Sequence, residues 1–398
     1  MLLVSHKSTC MSYTPTEFLK IAHQTAEHFG FQTALQLKKH PVCKECTVAL
    51  PHSITATNKK IDSHGGLLSN GVVTYCEEKL HALEEPVLLY AIEQMPRTGE
   101  VAVSFHIFNV ERSIAEAILI QVSRALASEL GHTEHTVRIN SLGDRDSVTR
   151  YTREITNYLK KRLDHMPPAA RELMKEHPLS ALSHLIDIEH ELGSRSPNPL
   201  EFLSDGSRKH FREIIEYLDM SETPYEIDPK MLGHHEYYSD AIFSLDIPDE
   251  DGVTVPLSIR GGRFNEFVQR NTRSKAAAAG AVAVFKNSKT PARIPRHKTS
   301  IPSVYVIHLG FGAKIRSLMI IDELRQAGIP VIHNLASDSL SAQLRDAENR
   351  GIRYALIMGQ KEFVENTVIL RDLKQSNQEF VEQSALVKKL KKQNAVTA

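Results

Sequence analysis

The chain has 398 residues, 41% hydrophobic and 24% charged, more than one core normally holds, so a large domain with a smaller one is expected. Fibrous and wholly disordered classes are excluded, and the small-apolar run 276–285 falls far short of the ~20 residues of a membrane span. Lysine plus arginine (48) balances aspartate plus glutamate (48), so global charge singles out no partner.

No basic segment followed by a long apolar stretch opens the sequence, so a cytoplasmic location with no membrane partner is expected. The four cysteines, Cys10, Cys43, Cys46 and Cys76, make no disulfide framework and fit a reducing compartment. Cys43 and Cys46 stand at a spacing that can share one metal. A structural zinc site wants four ligands, however, and only Cys10, Cys76 and His40 are at hand to complete it. Two ordinary thiols are the favoured reading, and no metal is assigned.

In chain order, the β-branched and aromatic run 100–110 predicts a strand. A helix over 114–130 follows, with Ile114, Ile118, Val122 and Leu126 on one face. Tyr151, Ile155, Leu159 and Leu163 mark a second amphipathic helix; Phe211, Ile214, Ile215 and Leu218 mark a third, with Asp205 and Ser207 as its caps. Between them, the prolines and glycines of 167–199 read as short helices with loops. Over 255–300 ten lysines and arginines accompany the single acid Glu266, a density that suits a polyanion and equally a solvated face with counter-charges from elsewhere.

From 301 strand and helix alternate: strands at 303–309, 330–335, 354–358 and 367–373, helices at 313–326 and 339–349. That pattern predicts a small α/β domain with a largely parallel sheet. Lys388, Lys389, Lys391 and Lys392 close the last helix, where the dipole favours cations whatever their function. No phosphate-cradling G-x-x-x-x-G-K-[ST], serine-nucleophile elbow or paired-histidine zinc motif occurs.

Several segments in one order carry a resemblance: "GVVTYCEEKLHALEEPVLLYAIEQM" (71–95), "SFHIFNVE" (104–111), "RINSLGDRDSVTRY" (138–151), "PYEIDPKMLGHHEYY" (224–238) and "GGRFN" (261–265). Together with "VYVIHLG", "LRQAGIPV", "YALIMGQKEF" and "TVILRDL" in the last hundred residues, they resemble the histidyl-tRNA synthetases. The resemblance implies an α+β fold: a class II synthetase-like antiparallel sheet with flanking helices, then a small α/β anticodon-binding-like domain. The expected bounds are a core at 1–290 with a helical insertion at about 150–222, a linker at 291–302, and the second domain at 303–398.

A synthetase holds ATP and an amino acid in line and stabilises charge as the carboxylate attacks the α-phosphate, so arginines matter most. The family's arginine before Gly-Leu-Asp-Tyr-Tyr is here Gly233, within Leu232-Gly233-His234-His235-Glu236-Tyr237-Tyr238. Its Gly-Leu-Glu-Arg falls on Val284-Phe285-Lys286-Asn287, so Lys286 supplies a point charge without arginine's planar fork. Arg97 matches the phosphate-binding arginine of the second class motif, but the loop after it is short and carries Glu100-Val101-Ala102-Val103 where basic residues are expected. In the following strand Phe105, His106 and Glu111 match, while the substrate-contacting glutamine is Ile107. Arg-Pro-Glu-x-Thr falls on 65–69, leaving Ser69 as a match and Leu67 in place of a carboxylate.

The resemblance thus implies substrate binding by Glu111, Tyr237, Tyr238 and Ser69, ATP binding by Arg97, Arg263 and Lys286, and nucleic-acid binding by Arg293, Arg296 and Lys298, with no catalytic residue assigned. Beside those roles stand plainer ones: Phe105 and the tyrosines as core, Glu111 as a helix-start residue, and Gly261 and Gly262 as turn formers. The expected function is that of a catalytically impaired paralog that binds tRNA or a protein partner and forms a homodimer. One alternative is an active histidine-tRNA ligase using ATP and Mg, and a second is the regulatory subunit of ATP phosphoribosyltransferase.

Overall fold

The structure, a computed structural model, describes residues 13–37, 63–82, 85–94, 100–132, 135–234, 236–247, 256–272, 276–286, 303–334, 339–375 and 377–395. Cys10, His40, Cys43, Cys46, Arg97, Asn287, Arg293, Arg296 and Lys298 lie outside the described residues, as does the linker expected at 291–302.

Helix α1 (Pro15–His28) starts at Thr14, whose hydroxyl accepts from the Glu17 N–H at 3.2 Å while the Glu17 carboxylate accepts from the Thr14 N–H at 2.8 Å. This reciprocal cap, with Pro15 at the first helical position, fixes where the helix begins. Next come α2 (Ala34–Leu37), α3 (Ser63–Glu77), the hairpin β1 (Val87–Gln94) and β2 (Val101–Phe108), then α4 (Ile114–Glu129), β3 (Val137–Gly143) and α5 (Arg145–Lys160). The helices that follow are α6 (Pro168–Glu176), α7 (Pro178–Asp187), α8 (Glu191–Ser194) and α9 (Asp205–Met220). The α9 cap is Ser204, accepting from the Ser207 N–H at 3.2 Å, one residue before the expected Asp205. Strands β4 (Tyr225–Ile227), β5 (Ser239–Ile247) and β6 (Leu257–Arg263), helix α10 (Asn265–Thr272) and strand β7 (Ala278–Phe285) complete a seven-stranded sheet of order β1-β2-β7-β6-β5-β3-β4. All its pairings are antiparallel except β3 with β4.

The remaining elements are β8 (Val304–His308), α11 (Phe311–Gln326), β9 (Val331–His333), α12 (Leu340–Asn349), β10 (Tyr354–Met358), α13 (Gln360–Glu365), β11 (Thr367–Asp372), β12 (Asn377–Glu382) and α14 (Gln383–Ala395). Their sheet has the order β12-β11-β10-β8-β9, parallel across β10, β8 and β9 and antiparallel across the other two pairs. The sequence pattern anticipates the parallel strands, whereas β12, mostly polar and exposed, carries no apolar alternation to reveal it. The two sheets are separate, yet one apolar cluster runs from Phe18 and Leu19 of α1 through Ile118 of α4 to Leu318 and Ile321 of α11. Phe311 lies 4.8 Å from the Tyr217 ring, and Arg325 forms an ion pair with Glu129 across the same seam.

Candidate functional site

Strand alternation divides the first sheet into two faces. Val101, Val103, Phe105 and Ile107 of β2 join Ala279, Ala281 and Ala283 of β7 in the cluster beneath α1 and α4. Ala102 and Phe108 face the other way, with Val282 and Val284, into a second cluster beneath α3. Ile107, where the resemblance expects a substrate-contacting glutamine, is thus fully buried against α1 and α4.

The α3 face carries the matching polar residues. Tyr237 is buried among Leu67, Phe264 and Phe267, its ring 4.8 Å from that of Phe267. Burial pushes its hydroxyl pKa up, against a hydrogen bond with Ser69 that works to lower it. Tyr238 is half-buried, and a β-carbon on Gly233 would come within 3.0 Å of its ring. His106 projects to this face fully buried, neither ring nitrogen bonded among the described residues, and burial alone pushes it down to about 3, so the imidazole is neutral. Gly71 of α3 lies on its ring. Ser69, Tyr237 and Tyr238 therefore lie on one face of the sheet. Leu67, which stands for a carboxylate, packs into the same cluster.

The three remaining described candidates lie elsewhere. Glu111 is exposed in the turn before α4. Arg263, at the end of β6, is 1% exposed and forms a bidentate pair with Glu116 of α4: Nε to Oε1 at 2.6 Å and Nη2 to Oε2 at 2.7 Å. It also donates to the Val110 carbonyl at 3.0 Å and the Arg112 carbonyl at 3.1 Å, which engages four of its five N–H groups. Lys286 is exposed just past the far end of β7, whereas Arg263 pairs with Ala279 near its start. Seven strand residues span roughly 20 Å, so the two cations expected on one nucleotide do not converge.

Around Arg263 is a buried polar network that sequence reasoning missed. His210 of α9 meets Glu116 Oε1 at 2.9 Å. Burial works to raise the Glu116 pKa, but Arg263 and His210 beside it hold it down at about 2. Burial likewise works to lower His210, and Glu116 outweighs it, so the ring's pKa is raised. Asp240, whose carboxyl is pushed up by burial, accepts from Ser207 Oγ at 2.9 Å, and Ser207 Oγ in turn accepts from the Asp144 N–H at 2.9 Å. The network ties α4, α5, α9, β5 and β6 together. A single acid inside the otherwise apolar run Ile114-Ala115-Glu116-Ala117-Ile118 was the available signal.

On the α3 face, Asp246 accepts from Arg260 at 2.7 Å, Ser258 at 2.8 Å and Arg138 at 2.9 Å, so these half-buried arginines are charge-matched in place. No cluster of metal-ligating side chains occurs among the described residues. Cys76 is buried, and burial pushes its thiol up to about 11. No helix of the described residues is long and apolar enough to cross a membrane.

Residues 303–393 match the family model of the anticodon binding domain. The chain is 29% identical over 318 residues to a histidine--tRNA ligase of Thermosipho melanesiensis, covering 75% of this chain and 74% of that one. It is 26% identical over 317 residues to the histidine--tRNA ligase of Bacillus velezensis, covering 76% and 74%. Among solved structures, apo histidyl-tRNA synthetase of S. aureus aligns over 98% of this chain and 99% of its own, with 15% identity and a TM-score of 0.47. The C-terminal residues thus match an anticodon binding domain, and about three-quarters of the chain is similar to histidine--tRNA ligases.

Proposed function

We propose that this chain is a histidyl-tRNA synthetase-like protein with impaired amino-acid activation that works by binding, with tRNA as its first partner and a second protein as the alternative partner. Arg263 carries the reading. Of the cations expected on ATP it is the only arginine among the described residues, and four of its five donors are held by Glu116, Val110 and Arg112 inside the fold. A guanidinium so engaged has no fork left for a phosphate, and Lys286 stands at the other end of the strand. Ile107 on the far face and Leu67 in the apolar cluster support the same conclusion for the amino acid.

The anticodon-binding domain match supports tRNA as the partner, and also favours a synthetase-type chain over the phosphoribosyltransferase regulatory subunit, a group that typically lacks this domain. A homodimer and a cytoplasmic location belong to the same proposal. Identity of 29% to a histidine--tRNA ligase over three-quarters of the chain favours the second reading, an active ligase using ATP and Mg. Histidine-dependent exchange of pyrophosphate into ATP separates the two: the paralog gives no exchange above background while still retaining tRNA in a filter-binding assay at low salt.

A further inference from the structure

Two kinds of contact join the second domain to the core. The apolar part is broad: Phe18 and Leu19 of α1, Ile118 of α4, and Leu318 and Ile321 of α11 share one cluster. Gly30, just past α1, packs on His333 of β9, where a β-carbon would come within 3.3 Å of the ring, and Phe311 meets Tyr217 of α9. Apolar attraction is non-directional, so it holds the two surfaces together without fixing how they are turned. Direction needs charge. Helix α4 contributes Arg124 and Glu129, helix α11 contributes Asp322 and Arg325, and opposite signs face each other. Arg325, its side chain 5% exposed, forms ion pairs with Glu129 across the seam and with Asp322 of its own helix, the latter at 2.9 Å. Burial lowers the Arg124 pKa and the Asp322 carboxylate works to raise it, so the acid of α11 acts on the base of α4 as well. Arg124 is held in place by Thr223, whose hydroxyl accepts from its Nη1 at 2.8 Å.

We propose that these four charges form an electrostatic key that locks the second domain onto the core in one register, with Arg325 as the positioning residue. Asp322 and Arg325 stand about one helical turn apart. Sliding α11 by that turn in one direction brings Arg325 against Arg124, and in the other brings Asp322 against Glu129, so like charges oppose both misplacements. A buried ion pair seldom adds stability over an apolar replacement, and setting register is its best-attested use. Exposure is divided in keeping with that role. Glu129 and Asp322 have side chains 45% and 34% exposed, so they stay solvated without Arg325, whereas Arg325 is left buried and unpaired without them. The domain that matches the anticodon binding model is thus held at one distance and angle from the core, and the lock operates whether or not the chain activates histidine.

The test is single-molecule energy transfer on the full chain, between dyes attached through non-canonical amino acids at the exposed Asn157 of α5 and Lys391 of α14, with unlabelled chain in excess. The wild type gives one narrow distribution. Arg325→Met loses that narrow peak while its melting midpoint stays at or above the wild-type value, a combination that a merely stabilising residue does not give. Glu129→Gln with Asp322→Asn lowers the midpoint instead, because the guanidinium stays buried without a carboxylate. Reversing α4 alone, by Arg124→Glu with Glu129→Arg, broadens the distribution, and reversing α11 as well, by Asp322→Arg with Arg325→Glu, narrows it again. Lys175→Met breaks an exposed ion pair within α6 and leaves the distribution unchanged. A narrow distribution in Arg325→Met would mean that the apolar seam alone orients the domains and would overturn the proposal. So would a wild type that is already broad, or a reversal of both helices that fails to narrow it.

Discussion

Gly71 of α3 lies directly on the imidazole of His106 in β2: a β-carbon on the glycine would stand 2.1 Å from both Cε1 and Nε2 of the ring. No side chain fits there without displacing α3 from the sheet. Gly71→Ala is therefore expected to destabilise the fold by about 1–3 kcal/mol, as overpacking of a filled core does. Thermal unfolding checks it, and adding His106→Ala should recover part of the loss by clearing the ring. A Gly71→Ala protein that melts at the wild-type temperature would mean that α3 does not close this face.

The pair Glu116–Arg263 predicts both a large mutational cost and a pH profile. Glu116→Ala leaves a buried guanidinium without its carboxylate, expected to cost about 3–5 kcal/mol. Because the Glu116 pKa is held at about 2 against an ordinary 4.5, its contribution is present above 4.5 and is lost as pH falls toward 2. His106, pushed down to about 3 from 6.5, also makes the folded state lose stability on acidification, since the unfolded chain takes up the proton first. Asp240, whose pKa is raised, partly offsets these losses. His210 works on the alkaline side: its raised pKa gives stability below 6.5 that disappears as pH climbs past its folded value. Urea midpoints across pH should therefore fall steeply below about 4.5, and His210→Gln should flatten the decline on the alkaline side. An alkaline decline unchanged by His210→Gln would remove His210 from the network's energetics.

The parts of this molecule legible in the sequence were those written in local period. Ile114, Ile118, Val122 and Leu126 are all buried on α4, and Tyr151, Ile155 and Leu159 on α5. Strands β8 and β10 are short apolar runs, each fully buried, and read as such. What escaped notice depended on distance along the chain. Glu116 and Arg263 are 147 residues apart, and nothing local marks them as partners. Ser69 and Tyr237 were paired only through the family resemblance, because their meeting depends on α3 lying over the sheet. Ile107 shows the same limit from the other side. Its substitution for glutamine is visible in the sequence, but only the β2 register reveals that it faces α1 and α4 rather than Tyr237.

Salt dependence tests the nucleic-acid reading. Binding of tRNA should be detectable at low salt and fall steeply as salt rises, because each neutralised phosphate releases counterions. Arg293→Glu together with Arg296→Glu is expected to weaken it and to lower the slope of log affinity on log salt by about 0.7–0.9 for each phosphate no longer neutralised. Sedimentation on the same samples should give a dimer at micromolar concentration. No retention of tRNA at the lowest salt would move the protein-partner form of the proposal to the front.

Catalysis gives the sharpest test, and Gly233 is its centre. The resemblance places an arginine there, so Gly233→Arg is the obvious attempt to restore activation. The backbone opposes it: Gly233 has φ +61°, a left-handed conformation that strains most side chains, and a β-carbon would press to 3.0 Å from Tyr238 Cδ2. The chemistry opposes it as well. One preorganised group commonly contributes ~3–4 kcal/mol to the transition state, yet Ile107 would still lack its substrate contact and Arg263 would still be held by Glu116. The unmodified chain should give no histidine-dependent pyrophosphate exchange when run beside a known synthetase, and Gly233→Arg should give none either. Robust exchange by the unmodified chain, abolished by Glu111→Ala, would establish the active ligase and end the paralog reading. Exchange that appears only with Gly233→Arg would show that a single missing cation, and not the arrangement around Arg263 and Ile107, is what silences the site.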